Sequence, residues 1–243
     1  MRTVRAWTQQ ALAVGRSIEL EAGPARHLVR VLRLKAGYGV VLFNGDGKEY
    51  PATIEETGPG DRCRLQVEQA READTESPLS ITLVQAIARG DRMDWCIQKA
   101  CELGVTAIQP VFTERTEVRL DEKRADKRLR HWQQVAVAAC EQCGRVRVPE
   151  IKTPLSLTDL SVSEGLSLFL DPQAERRLSQ LKHPSATPVR IVIGPEGGLS
   201  EAETRWLARQ GFIALRLGPR ILRSETAGPA VIAALQARFG DWQ

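Results

Sequence analysis

Two short stretches near the C-terminus hold residue types suited to gripping a small ligand and reacting on it. The first is Gly194-Pro195-Glu196-Gly197-Gly198, entered directly from an apolar run at 189–193. The second is Leu217-Gly218-Pro219-Arg220-Ile221-Leu222-Arg223-Ser224-Glu225-Thr226-Ala227, entered from an apolar run at 212–217. Glycines let backbone approach a ligand closely and leave N–H and C=O groups free to bond it. In parallel α/β sheets such ligands lie beyond the carboxyl ends of strands. Neither stretch reads as a phosphate cradle: no Gly-Lys-Ser/Thr follows the glycines and no G-x-G-x-x-G is present. Arg220, Arg223, Glu225 and Thr226 add charge and a hydroxyl, and Leu168-Phe169-Leu170-Asp171-Pro172 is a candidate third wall. Each loop alone also fits a tight turn without ligand; two loops at one sheet edge are more specific.

A third feature is basic. Arg26, Arg30 and Arg33 recur at i, i+4 and i+7 beside His27, so a helix over 24–35 would carry them on one face. No acid occurs from Ala22 to Gly45. Such a stripe can neutralise phosphates, although a plain solvated helix face has the same pattern. Leu28, Val29 and Leu32 are placed to anchor that helix. Lys123, Arg124, Lys127, Arg128 and Arg130 are mixed with Asp121, Glu122 and Asp126, which reads instead as intrahelical i,i+4 pairing.

These residues need elements to hold them. The chain's 243 residues allow one or two domains. β-type runs at 40–43, 50–54 and 62–67 are separated by Asn44-Gly45-Asp46-Gly47 and Gly58-Pro59-Gly60, and predict a small β-rich domain over 1–72. Residues 71–79 are polar, end in Ser-Pro-Leu, and read as a linker. Over 73–243 the texture becomes α/β. Strands are expected at 80–88, 105–112, 166–170, 189–193 and 212–217. Helices are expected at 91–103, where Met93, Cys96, Ile97 and Ala100 share a face, and at 122–143 and 224–239. A further helix opens on a capping box, Ser200 with Glu203, and closes at Gly211. Strands alternating with helices imply a parallel sheet covered on both faces.

Composition narrows the class. At 42% hydrophobic and 26% charged, the chain is not disordered. No apolar run approaches the ~20 residues of a membrane span, and the N-terminus has no apolar signal core, so the cytoplasm is the expected compartment. The five scattered cysteines suit free thiols. Cys140-x-x-Cys143 has no second pair, and His27, His131 and His183 do not complete it, so no metal is expected. A net charge of +4 is weak evidence for a polyanionic partner.

Gly194 to Gly198 and Leu217-Gly218-x-Arg220-Ile221-Leu222-Arg223-x-Glu225-Thr226-Ala227 resemble the two cofactor loops of SPOUT-class methyltransferases. Arg26-His27-x-x-x-Val31-Leu32-Arg33, Arg92-Met93-Asp94-x-x-x-Gln98-Lys99-x-x-Glu102-Leu103-Gly104 and Glu141-Gln142-x-Gly144-Arg145 extend the likeness over nearly the whole chain, to the bacterial 16S ribosomal RNA uridine-N3 methyltransferase family. Gly228-Pro229 after the Thr226-Ala227 pair is a minor departure, touching the start of the last helix. The resemblance implies a trefoil-knotted α/β domain with an N-terminal PUA-like β-barrel that binds RNA through Arg26, His27, Arg30 and Arg33. It implies S-adenosyl-L-methionine as cofactor, a homodimer, and 3-methyluridine in 16S rRNA as product, made on the small ribosomal subunit. The implied cofactor residues are Leu170, Gly194, Pro195, Glu196, Gly197, Gly198, Leu217, Gly218, Ile221, Leu222, Arg223, Thr226 and Ala227. Uracil N3 is a poor nucleophile until its proton leaves, and a cation stabilises the charge that results. Arg223 and Arg145 are candidates for that cation or for holding phosphate. Glu225 or Glu196 is a candidate proton acceptor, or else caps backbone amides; at an ordinary pKa of ~4.3 a glutamate is a weak base unless desolvated. The competing readings are a non-catalytic RNA-binding factor, which leaves the glycine loops unexplained, and a nucleotide-using transferase, which the missing phosphate motifs oppose.

Overall fold

The computed structural model describes residues 3–118, 121–161, 164–182 and 188–242, with Glu122 by its backbone alone. His183, named above, and the first two residues of the expected β-rich domain lie outside the described residues. The chain forms two compact units, Met1–Glu76 with Cys140–Val148 and Ser77–Ala139 with Pro149–Gln243.

The first unit is built on β1 (Arg5–Trp7), β2 (Ser17–Glu19), β3 (Gly39–Phe43), β4 (Lys48–Gly58), β5 (Arg62–Val67) and β6 (Arg71–Glu72). They lie in the order β1-β3-β4-β5-β2 with β6 on β4; β1 and β3 are parallel and the other pairs antiparallel. Along β4, Tyr50, Ala52 and Ile54 are buried and alternate with partly exposed neighbours, the period-2 pattern of a sheet with one wet face. Leu28, Leu42, Ile54 and Leu65 form the centre of the core. Part of the expected linker is strand, since Arg71 and Glu72 pair with Glu49 and Lys48.

Residues 24–35 do not form one helix. Helix α1 (Ala22–Arg26) runs into a single π turn, His27–Val31. The wider turn closes with Leu32 N–H on His27 O at 3.0 Å, and Arg33 follows at φ 56°, in the left-handed region. The stripe therefore loses Arg33. Leu28 is buried and Val29 packs on the core, but Leu32 is 39% exposed and anchors nothing.

The second unit is an α/β layer structure, as expected. Its strands are β7 (Ile81–Ala86), β8 (Ala107–Phe112), β9 (Glu150–Ile151), β10 (Leu155–Ser156), β11 (Leu166–Leu170), β12 (Val189–Ile193) and β13 (Ile213–Leu215). The order is β10-β8-β7-β12-β11-β13 with β9 on β8, all parallel. Helices α2 (Asp91–Glu102), α3 (Glu122–Cys143), α4 (Glu201–Arg209) and α5 (Ser224–Phe239) join or follow the strands. Leu83, Val84, Ile191 and Val192 are buried on successive positions, because helices cover both faces of a parallel sheet. The α4 capping box is present: Ser200 Oγ accepts from Glu203 N–H at 3.2 Å and Glu203 Oε2 accepts from Ser200 N–H at 2.8 Å. Among the described side chains of 121–130 the ion pair is Arg124–Asp121, at i,i+3 rather than i,i+4. All five cysteines are free thiols, and among the described residues no helix is long and apolar enough to cross a membrane.

Candidate active site

Strands β12, β11 and β13 are adjacent and parallel, so their carboxyl ends share one edge of the sheet. The two glycine loops leave β12 and β13. The sheet order puts β11 between them, so the segment after Leu170 is the middle wall rather than an outer one. The three loops open on a cavity of about 1030 Å³, at the upper end of the ~300–1,000 Å³ typical of small-molecule sites.

Of the expected cofactor residues, Leu170, Gly194, Pro195, Glu196, Gly198, Leu217, Gly218, Ile221, Leu222, Arg223 and Ala227 line this cavity. Buried Ile193 and Leu215 complete an apolar floor. Gly197 and Thr226 do not line it. The Gly197 carbonyl accepts from Arg115 Nη1 at 2.8 Å, and Thr226 N–H donates to Arg223 O at 2.9 Å in the first turn of α5. Gly198 turns the first loop at φ 70°, its N–H on Pro195 O at 2.9 Å, a conformation that excludes most side chains.

The two loops are tied together from beneath. Ser224 Oγ donates to Gly194 O at 2.7 Å and accepts from Gln85 Nε2 at 2.9 Å. Cys96 Sγ donates to Gln85 Oε1 at 3.3 Å. Gln85 is fully buried in β7, and a Cβ on Gly228 would sit 3.1 Å from its Oε1. A side chain there would therefore press on Gln85 and Leu83, which would have to give by a few tenths of an ångström. An amide inside an otherwise largely apolar strand is the sequence signal that marks Gln85.

The rim carries charge. Arg92 Nη1 meets Glu196 Oε1 at 2.9 Å, while Arg92 Nε is 3.8 Å from Glu225 Oε1. Glu225 does not line the cavity; its side chain is 13% exposed, and its Oε2 is buried with no hydrogen-bond partner among the described residues. Burial and the Glu225 charge push the Cys96 thiol up to about 12, so that sulfur stays protonated as a donor. Arg115, Arg216, Arg220 and Arg223 also line the cavity. Arg92 and Arg115 come from segments distant in sequence, and loop grammar gave no hint of Arg115.

Other candidates lie in the first unit. Arg145, paired above with Arg223 as a possible reaction-site cation, is 4% exposed and held by Glu76, with Nη2–Oε2 at 2.6 Å and Nε–Oε2 at 3.1 Å. Arg26, His27 and Arg30 are exposed, and Arg30 is paired with Asp61. Among the described residues no group of three or more His, Cys, Asp or Glu is placed to hold a metal ion.

A parallel sheet with three loops converging on one apolar-floored cavity suits an α/β enzyme that holds a small-molecule cofactor. Residues 75–236 match the family model described as the RNA methyltransferase domain, and residues 24–68 match the RNA methyltransferase PUA domain. The chain belongs to this family of methyltransferases, in the branch whose members are named ribosomal RNA small subunit methyltransferase E. The relative of that name from Buchnera aphidicola (subsp. Schizaphis graminum) is 33% identical, over 99% of this chain and 98% of its own. The Neisseria gonorrhoeae structure of that name, bound to S-adenosyl methionine, is 39% identical with a TM-score of 0.92 over 100% of both chains. A Legionella pneumophila methyltransferase in complex with the same cofactor is 38% identical with a TM-score of 0.96, over 99% of this chain and 100% of that one.

Proposed function

We propose that this chain transfers a methyl group from S-adenosyl-L-methionine to N3 of a specific uridine in 16S rRNA, near the decoding region of the small ribosomal subunit. The observation that carries this reading is the single cavity bounded by the loops after β11, β12 and β13, in a chain whose whole length matches relatives solved with that cofactor. The residues fit the group: Ile193, Leu215 and Leu222 offer apolar contact for an adenine, and the Gly194–Gly198 and Leu217–Leu222 backbones offer N–H and C=O groups to its edges. When bound, the cofactor supplies an activated methyl that needs in-line approach and no metal.

The protein's part is to deliver a deprotonated, correctly aimed base. Arg223 is exposed at the cavity and has no ion-pair partner among the described residues, which supports a role in stabilising charge on the uracil oxygens. Glu196, which lines the cavity, and Glu225, just behind its wall, are the two candidate proton acceptors. Both face Arg92, Glu196 at 2.9 Å and Glu225 at 3.8 Å, but Glu225 Oε2 is buried with no hydrogen-bond partner among the described residues. The target uridine must be unstacked or single-stranded to be reached. Arg26, His27 and Arg30 of the PUA-like unit, with Arg33 on the following turn, would hold flanking RNA. The family likeness supports a trefoil knot in the second unit, a homodimeric enzyme, and a cytoplasmic location beside the ribosome.

The test is incubation with labelled S-adenosylmethionine and small ribosomal subunits lacking the modification, followed by digestion to nucleosides and mass spectrometry. Labelled 3-methyluridine is the expected product. Label in another nucleoside, or none in RNA, refutes the proposal.

A further inference from the structure

Beyond the loops that form the cavity, the segment after β11 does something the reaction does not require. It turns back and lies along the carboxyl end of β13. Arg216 N–H donates to Arg176 O at 2.9 Å, and Arg177 and Arg216 form a parallel bridge. Farther along, Arg238 Nη2 donates to Ser179 O at 2.9 Å and Leu181 O at 3.2 Å, so the returning segment is tied down at both ends. The bridge sets two arginines directly opposite each other on neighbouring backbones, with a third, Arg176, next in line. Like charges placed this way oppose folding.

No carboxylate among the described residues lies within ion-pair distance of Arg176, Arg177 or Arg216, although Glu175 is adjacent in sequence. Arg176 and Arg177 are exposed, and Arg216 lines the cavity. Three arginines are thus gathered by backbone pairing, Arg216 at the cavity and Arg176 and Arg177 on the exposed segment beside it, their charge uncompensated among the described residues.

We infer that Arg176, Arg177 and Arg216 form a grip for the phosphate backbone of the RNA strand beside the target nucleotide. The ligand chemistry follows from the donors: a guanidinium offers paired N–H groups that match phosphate oxygens, and a fixed row of them suits a chain of regularly spaced anions. A row anchored on the sheet edge gives register without reading bases. The inference rests on RNA being the substrate and adds where its strand runs over the methyltransferase unit.

The test uses the full-length protein and a double variant, Arg176→Ala with Arg177→Ala. Binding of a short single-stranded RNA is measured over a range of salt. The log–log slope should flatten by about 1.4 for two lost phosphate contacts. Calorimetry with S-adenosylhomocysteine should give unchanged affinity, and methylation of small subunits should show a raised KM for RNA with kcat kept. Arg177→Glu is the second variant. Facing Arg216 across the bridge, the new carboxylate should leave the melting temperature equal or higher while RNA affinity falls, which separates the grip from a folding defect. An unchanged slope in the double variant, with wild type binding RNA normally, overturns the inference. So does a matching loss of cofactor affinity, which would assign the arginines to the cofactor. Absence of 3-methyluridine from the wild-type reaction would instead sink the proposed reaction and leave the salt slope to judge the grip.

Discussion

At the scale of single residues, the arginines at the cavity differ in whether their charge is paired. Arg223 caps α5 and faces the cavity, while Arg92 is taken up by Glu196 and Glu225. Replacing Arg223 by Ala should therefore lower kcat by 100-fold or so, the usual cost of losing one group that stabilises developing charge. Cofactor affinity, measured by calorimetry with S-adenosylhomocysteine, should stay within a few-fold; near-normal turnover would remove Arg223 from the reaction. A second residue-level prediction concerns Tyr50, whose hydroxyl donates to Asp46 Oδ2 at 2.6 Å. That bond, with burial, pushes the phenol up to about 12 from its usual 10.0. A pKa raised by folding contributes stability that is fully present below the unfolded value and lost as pH climbs through the folded one. Urea titrations should thus show stability falling between pH 10 and 12, and Tyr50→Phe should lack that part of the fall.

At the scale of elements, local signals were read well and their assembly was not. The α4 capping box is the clearest case: its two reciprocal bonds follow from Ser200 and Glu203 alone. Ser200→Ala should cost about 1 kcal/mol in chemical denaturation, and a loss under a few tenths would mean the box is cosmetic. Strands β3, β5, β11 and β12 and helices α3 and α5 lie within a residue of where alternation and caps put them. The failures have physical causes. β1 and β2 are three residues each, too short to show a period. The helix carrying the arginine stripe was broken by a π turn and a left-handed residue, which no pattern of charges reports. Sheet order is set by long-range pairing, so β11 came between the two glycine loops unannounced. The cavity's loops were legible because glycine and proline act locally; Arg115 was not, because it reaches the site from a distant turn.

At the scale of the whole molecule, the chain leaves the first unit at Glu76 and returns to it for Cys140–Val148 before leaving again. The returning residues are structural. Cys140, Val146 and Val148 pack with Phe43 and Trp7, Glu141 Oε1 accepts from Trp7 N–H at 3.0 Å, and Arg145 O accepts from Arg5 Nη2 at 3.2 Å while its guanidinium meets Glu76. The PUA-like unit is thus discontinuous in sequence, and bringing its last segment into place closes a loop through the second unit. Closing such a loop costs entropy that grows slowly with length, a cost offset only once the apolar contacts are made. A fragment of residues 1–76 would uncover Phe43, which is 0% exposed in the full chain, at about 2 kcal/mol for the lost burial. It would also leave Glu76 without its arginine. For a domain this small those losses are comparable to its entire stability. The fragment should give no cooperative thermal transition by circular dichroism, and grafting 140–148 onto it through a short Gly/Ser linker should restore one. A sharp melt from the bare fragment would show that the returning segment decorates the unit without completing it.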